Sequence, residues 1–178
     1  MTPHTILDAA GFDRTLRRLA HEVTERAGGN DFVLVGIQTR GVPLAQRLSG
    51  VVSEIEGRDI PSGAIDVTLF RDDYRTSLKS GIPLGNQLPF AIDDRNIILV
   101  DDVLFTGRSV RAAIDELISF GRPRKIQLLV LIDRGHRQLP IRADYVGKNV
   151  PTSLEDKVKV KIAEVDGEDS VVLERQEA

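Results

Sequence analysis

The sequence predicts an α/β protein built on a doubly wound, mostly parallel sheet. Three observations carry that expectation. The apolar runs Phe32–Ile37, Ile97–Val100 and Ile126–Ile132 read as strands buried on both faces. Between them, apolar residues recur at helical spacing and the pattern stops at glycine. The strands end in short polar loops, and in open α/β sheets ligands bind at such carboxyl ends.

Taken in order, Asp8 is placed to cap a first helix, with Leu16, Leu19, Ala20 and Val23 as its apolar stripe and Gly28-Gly29 as its stop. Arg14, Arg17, Arg18 and His21 share helical spacing on an adjacent face, which by itself reads as a solvated basic face. Phe32–Ile37 runs into Gln38-Thr39-Arg40-Gly41. Leu44, Leu48, Val51, Val52 and Ile55 then mark a helix closed by Gly57. Ala64–Phe70 alternates as a strand does, and a polar, Gly/Pro-bearing run follows to about Pro89, long enough to be functional. After the third apolar run, Val158–Val165 and Ser170–Glu174 read as closing strands.

The chain of 178 residues suits one domain, 1–178. It has no cysteine, which excludes disulfides and thiolate metal sites. No apolar stretch approaches the roughly 20 residues of a membrane span, and the first ten residues lack a basic start, so no membrane role and a cytoplasmic location are expected. The net charge of −3 gives no global field for nucleic acid. Charge is nevertheless gathered locally. Residues 120–150 carry seven Lys/Arg against two Asp/Glu, and residues 151–178 carry four against eight.

The stretch Ile97–Val110 holds the chemistry. Its apolar strand meets Asp101-Asp102, then Val103-Leu104-Phe105-Thr106-Gly107-Arg108-Ser109, then a helix marked by Val110, Ala113, Ile114 and Leu117 and stopped by Gly121. Backbone N–H groups at the helix start, with the hydroxyls of Thr106 and Ser109, make an anion cradle. Gly107 lets the backbone come close to a phosphate. Asp101 and Asp102 can accept hydrogen bonds from two vicinal hydroxyls. Phosphate and diol so placed describe a ribose 5-phosphate. Pure metal ligation by the acid pair is the competing reading. In the preceding βα loop, Thr39-Arg40-Gly41 can hold a diphosphate, because a guanidinium offers several fixed donors.

The strand, the two acids and Thr-Gly-x-Ser together resemble the PRPP-binding signature of the type I phosphoribosyltransferases. Four blocks in order, from the Ile-x-Thr-Arg-Gly loop through Leu69-Phe70-Arg71-Asp72-Asp73 and the PRPP stretch to Asp133–Ser153, resemble one branch of that family: the bacterial pyrimidine-operon attenuation regulators, which are also uracil phosphoribosyltransferases. The resemblance implies the type I phosphoribosyltransferase fold with a small C-terminal hood, formed mainly by about 133–178, and an active-site lid following Arg71. It implies transfer of phosphoribosyl from PRPP to uracil, giving UMP and pyrophosphate, with Mg²⁺ accompanying PRPP and no metal fixed by the protein alone. Arg40, Asp101 and Asp102 become the catalytic residues. Thr39, Gly41, Arg71 and the run Val103 to Ser109 join them in binding substrate. The family often has a non-proline cis peptide at the diphosphate loop. It commonly carries Lys, Tyr and Thr where this chain has Gln38, Phe105 and Ser109. Hypoxanthine enzymes usually carry an Asp where Phe105 stands, to handle the purine imidazole proton, so Phe105 favours a pyrimidine.

The same resemblance implies a second partner, pyrimidine-operon leader RNA, with contact through His21, Arg26, Arg137, Arg142 and Lys148. The basic 120–150 segment gives that expectation physical grounds. Few aromatics are present for base stacking, which favours structured RNA read by shape and backbone. Assembly as a homo-oligomer, dimer or higher, is a further expectation. An enzyme with no RNA role, or a regulator with vestigial catalysis, would share these motifs.

Overall fold

A computed structural model of the chain describes residues 3–68 and 84–176. Arg71, the end of the expected Ala64–Phe70 strand and most of the expected lid lie outside the described residues.

The elements in order are β1 (Pro3–Leu7), α1 (Ala9–Ala27), β2 (Phe32–Ile37), α2 (Gly41–Glu56), β3 (Ser62–Ile65), β4 (Asn96–Leu104), α3 (Arg108–Phe120), β5 (Lys125–Asp133), β6 (Tyr145–Asn149), β7 (Lys157–Lys161), α4 (Ala163–Asp166) and β8 (Ser170–Glu174). Five strands form the main sheet in the order β3-β2-β4-β5-β6, and every neighbour runs parallel. The other three form an antiparallel sheet, β1-β8-β7.

The main sheet is wound on both faces. Phe12, Leu16, Leu19 and Val23 of α1 and Leu44, Leu48 and Val52 of α2 pack with Ile98 and Val100 on one face. Val110, Ala113 and Leu117 of α3 pack with Ile97 and Leu99 on the other. Leu7, Val160, Ile162, Val171 and Leu173 of the small sheet or its edge join the first of these cores. Burial on both sides explains the unbroken apolar runs, since a parallel sheet has no wet face to require alternation. A Leu→Ala change at any of these wholly buried leucines carries the cavity cost of about 2–5 kcal/mol.

Helix α1 starts where the sequence places it. Asp8 accepts from the Gly11 N–H at 2.7 Å, and Gly28 closes the helix in the left-handed conformation. Four expectations need correction. The central strand does not end at Val100 but runs through both acids to Leu104, because β5 pairs alongside it as far as Leu104↔Asp133. The expected 64–70 strand begins two residues earlier and ends at Ile65. There Asp66 turns inward and accepts from the Thr68 N–H and hydroxyl and from Gly85 N–H at 2.9, 2.6 and 2.9 Å. The expected Val158–Val165 strand stops at Lys161, and its end is the short turn α4. The second helix begins at Gly41, ahead of its apolar stripe.

Candidate functional site

The carboxyl end of β4 brings the expected site residues together. Alternation holds from Ile97 to Val100 and lapses across the acids: Val103 packs with the core of Ile98 and Val100, and Leu104 with that of Ile97 and Leu99. The two acids are adjacent at the strand end. Asp101 is buried and accepts from the Asp102 N–H at 2.9 Å; half-buried Asp102 accepts from the Val103 N–H at 2.8 Å. Val103 and Leu104 turn apolar side chains into the two cores, so any part they take in binding goes through their backbone.

The loop expected to hold a phosphate is Phe105-Thr106-Gly107, and Gly107 precedes α3 with φ 93°. That angle favours glycine, and a Cβ there would also meet Ile141 at 3.3 Å. The first N–H groups of α3 have no partner inside the helix, and Arg108 N–H lies 3.4 Å from the Thr106 hydroxyl. Ser109 stands half-buried in the first turn, and Arg108 Nε donates to Gln138 at 3.0 Å. The loop is braced from outside. Gln138 and Leu139 N–H groups donate to the Thr106 carbonyl at 3.0 and 3.2 Å. Arg137 donates to the Phe105 carbonyl at 2.9 Å, to the Ile141 carbonyl at 3.0 Å and to the Asp133 carboxylate.

The β2–α2 loop lies beside the acids. A Cβ on Gly41 would run into the Val100 carbonyl oxygen, so only glycine lets α2 start this close to β4. The cis peptide bond of this loop joins Gln38 to Thr39, and Thr39 is exposed. Arg40 is gripped bidentately by Asp166 of α4, at 2.7 and 3.0 Å. The hydrogen bonds it donates to Asp166, against the cost of burial and with the fields of Asp166 and Asp102 added, hold the guanidinium above its ordinary value. Arg47, further along the helix, pairs with Glu164 and Asp169 of the same C-terminal segment. Its own affinity for a proton rises for the same reason.

Phe105 opens the 105–107 loop, directly after β4. The Arg134 guanidinium lies over its ring, 4.0 Å from the centroid, and His136 meets it edge-on at 6.1 Å. His136 Nε2 is 2.7 Å from the Thr152 carbonyl. Among the described residues no group of three or more His, Asp or Glu is arranged to hold a metal ion.

A family model, "Phosphoribosyl transferase domain", matches residues 4–166. Bifunctional protein PyrR of Pelotomaculum thermopropionicum is 54% identical over 94% of this chain and 93% of its own length. Bifunctional protein PyrR of Deinococcus deserti is 56% identical over 95% and 93%. The chain belongs to the phosphoribosyltransferase family, among the PyrR proteins. Solved structures agree on the fold. The hypoxanthine phosphoribosyltransferase of Trypanosoma cruzi superposes with a TM-score of 0.73 at 17% identity, covering 97% of both chains. A hypoxanthine-guanine phosphoribosyltransferase of Bacillus anthracis gives 0.68 at 19%, covering 83% of this chain and 84% of that one.

The five residues expected to meet RNA fall in different surroundings. α1 packs on β6, where a Cβ on Gly147 would press against Thr15 at 2.9 Å. That places His21 and Arg26, both exposed, on the helix that covers this strand. Arg26 donates to the Asp144 carbonyl at 2.7 Å, pairs with Glu22 at 3.0 Å and lies 4.8 Å over the Tyr145 ring. Lys148 is exposed, its Nζ 3.4 Å from the Ile6 carbonyl. Arg142 is exposed. Arg137 instead sits beside the phosphate loop with its side chain 23% exposed.

Three residues that hold or cover the expected site residues escaped the sequence: Asp166, Asp133 and Arg134. Asp166 lies 126 positions from Arg40, in a tail whose only local signal is acidity. Asp133 and Arg134 stand in a motif that does flag them, but nothing local shows that one anchors Arg137 and the other covers Phe105.

Proposed function

We propose that this chain transfers phosphoribosyl from PRPP to uracil, giving UMP and pyrophosphate, and that it binds pyrimidine-operon leader RNA in response to uridine nucleotides. One observation carries the first half: two adjacent carboxylates lie at the end of a parallel strand, and the same strand feeds a glycine-started helix N-terminus. Asp101 and Asp102 accept from the ribose hydroxyls. Thr106, Ser109 and the α3 N–H groups hold the 5-phosphate. Bond breaking at the anomeric carbon leaves positive charge on the ribose and negative charge on the diphosphate. Arg40 meets the latter by exchanging the Asp166 carboxylate for diphosphate oxygens, which present a similar pair of acceptors. Arg71 assists PRPP binding.

The hard oxygens of Asp101 and Asp102 fit a Mg²⁺ that enters with PRPP and is held mostly by substrate oxygens and water. When bound, that ion supplies charge neutralisation at the leaving group. Phe105, in place of an acid, leaves no partner for a purine imidazole proton, which supports a pyrimidine base.

RNA contact is assigned to His21, Arg26, Arg142 and Lys148. For Arg137, its bonds to Phe105, Ile141 and Asp133 support a part in shaping the transfer site as well. UMP ordering the segment near 133–148 biases the adjoining surface toward RNA. The protein acts in the cytoplasm as a homo-oligomer, dimer or higher, which sedimentation measures. Among the described residues no helix is long and apolar enough to cross a membrane.

A radiolabelled-uracil assay with PRPP and a gel shift with the pyrimidine-operon leader test the two halves separately. UMP formation and a shift that tightens with UMP are expected. Absence of the shift at low salt, with transfer intact, leaves an enzyme with no RNA role.

A further inference from the structure

The segment 137–141 is a closed ring laid against the outside of the 105–107 loop. Arg137 Nε donates to the Ile141 carbonyl at 3.0 Å, which joins its two ends. Inside it, the Ile141 N–H donates to the Leu139 carbonyl at 2.8 Å across Pro140, a three-residue turn whose central φ proline fixes. Further bonds tie the ring to the chain that leads from β4 into α3. The Gln138 and Leu139 N–H groups both donate to the Thr106 carbonyl, at 3.0 and 3.2 Å. Arg137 Nη1 donates to the Phe105 carbonyl at 2.9 Å, and Arg108 Nε to the Gln138 side-chain oxygen at 3.0 Å. Leu139 and Ile141 also close over Gly107, where a Cβ would meet them at 3.6 and 3.3 Å.

These contacts put one stiff piece of chain between two partners. On its inner side are Thr106, Gly107 and Arg108, at the helix start expected to take the 5-phosphate. At its far end Arg142, exposed and assigned above to RNA, follows Ile141 directly. A phosphate taken up at this helix start accepts from the first N–H groups of α3 and from the Thr106 hydroxyl. Those bonds fix the peptide units whose carbonyls, Phe105 and Thr106, hold the ring. Hydrogen bonds in a chain also polarise and strengthen one another. Ordering the loop therefore orders the ring. An RNA that needs Arg142 in one place then meets less of the ordering cost itself.

We propose that the RNA face senses the 5′-phosphate of the bound nucleotide, through Gln138 and the 137–141 ring. The proposal rests on the nucleotide-responsive RNA binding proposed above and deepens it, naming the part of the ligand that is sensed and the residues that pass it on. Gln138 is a positioning residue. Its side chain accepts from Arg108, the first residue of α3, and its N–H donates to Thr106, so it holds the ring on both sides of Gly107. Such coupling is reciprocal: the factor by which the nucleotide tightens RNA is the factor by which RNA tightens the nucleotide. A nucleoside without the phosphate lacks the contact that differs between the loose and the ordered loop, and it shifts nothing.

The test uses the full chain and measures leader affinity by gel shift, alone and with saturating UMP, ribose 5-phosphate or uridine. The wild type should bind leader more tightly with UMP and with ribose 5-phosphate, and within about twofold of its ligand-free affinity with uridine. Ribose 5-phosphate should also slow hydrogen exchange at the Gln138 and Leu139 N–H groups. Gln138→Leu keeps the bulk of the side chain and removes its acceptor. It should keep the thermal midpoint, hold KM for PRPP and ligand-free leader affinity within about twofold, and shrink the UMP-induced tightening by about two- to tenfold, the range of one hydrogen bond. Ile141→Ala opens space over Gly107 and should weaken the response in the same way, and it carries the comparison if the leucine variant does not fold. Tightening by UMP without any by ribose 5-phosphate, equal tightening by uridine, or a full UMP response in both variants overturns the proposal and leaves the ring a structural brace. A wild type whose leader affinity ignores UMP overturns the nucleotide-responsive reading itself, and this one with it.

Discussion

Arg137 and Arg26 both belong to the basic part of the molecule, but they are held in different ways. Arg137 donates to two carbonyls that wall the phosphate loop and to the Asp133 carboxylate, with 23% of its side chain exposed. Arg26 lies on the outer surface of α1, with 51% of its side chain exposed, and its partners Asp144 and Tyr145 lie at the start of β6. A formal charge count treats the two alike. A phosphate would not, because Arg137 meets one only by giving up bonds that shape the transfer site, whereas Arg26 and its neighbours Lys148 and His21 already face water. The carboxyl end of the sheet is where polar groups are committed inward, and the α1–β6 face is where they are available.

The largest expected effect lies wholly on the inward side. Asp101→Asn with Asp102→Asn should cut UMP formation by about a thousandfold or more, in the range lost when groups positioned against the transition state are removed. Leader RNA affinity, measured by gel shift without nucleotide, should stay within about twofold. An equal loss of both activities would mean that the two regions are not separable.

Next come the two arginines themselves. Arg137→Ala should lower the thermal midpoint and slow transfer about 10- to 100-fold, since it strips donors from Phe105, Ile141 and Asp133 at once. Arg26→Ala with Lys148→Ala should leave transfer unchanged and weaken leader binding. The slope of log affinity against log salt should fall by roughly one for each phosphate that the variant no longer neutralises. The comparison breaks if Arg137→Ala changes only the salt slope while Arg26→Ala with Lys148→Ala slows transfer.

The inward region was legible where it is contiguous in sequence. β2 is six buried apolar residues, and its bounds follow from composition alone. Asp8, Gly28 and Gly57 mark helix ends through local chemistry. The phosphate loop and acids fall within a single short run, Ile97–Val110, so one reading frame holds them. Pairing at a distance was not legible. β4 keeps its strand conformation through two aspartates because β5 supplies a ladder, a fact absent from the residues 101–104. β1 has no pattern to find, since its partner runs from Val171 to Glu174 at the other end of the chain. Asp166 and Arg134 belong to this second class, and both close the site from outside the motif.

The acidic tail sharpens the comparison through pH. Asp166 is held below the ordinary carboxylate value first by its bond from Arg40, and Asp169 and Glu164 first by theirs from Arg47. A carboxyl depressed in the folded state adds stability above its unfolded value, about 4, and that stability goes as pH falls through the folded value. Thermal midpoints should therefore drop between about pH 5 and pH 3. In Asp169→Asn the drop should be shallower. A midpoint insensitive to this window, or equally steep in the variant, would remove these pairs from the account of how the small sheet is held.

The smallest expected effect concerns Arg40, which is proposed to meet the diphosphate and is bonded here to Asp166. Its bond to Asp166 spans the diphosphate loop and the C-terminal turn, with side chains 35% and 20% exposed. Pairs this exposed contribute about 0–1 kcal/mol, and a bidentate geometry favours the upper part of that range. One kcal/mol is about fivefold in an equilibrium. If diphosphate displaces Asp166, PRPP binds against that pair, and Asp166→Asn should lower KM for PRPP by about two- to fivefold with kcat little changed. Asparagine is the informative choice. Its side-chain oxygen can still accept from the Ile162 N–H, which Asp166 does at 2.9 Å, so α4 keeps its shape. The fall should shrink as salt rises, because added ions already weaken the pair in the parent. A KM that rises instead would show that Asp166 presents Arg40 to the substrate and does not compete for it.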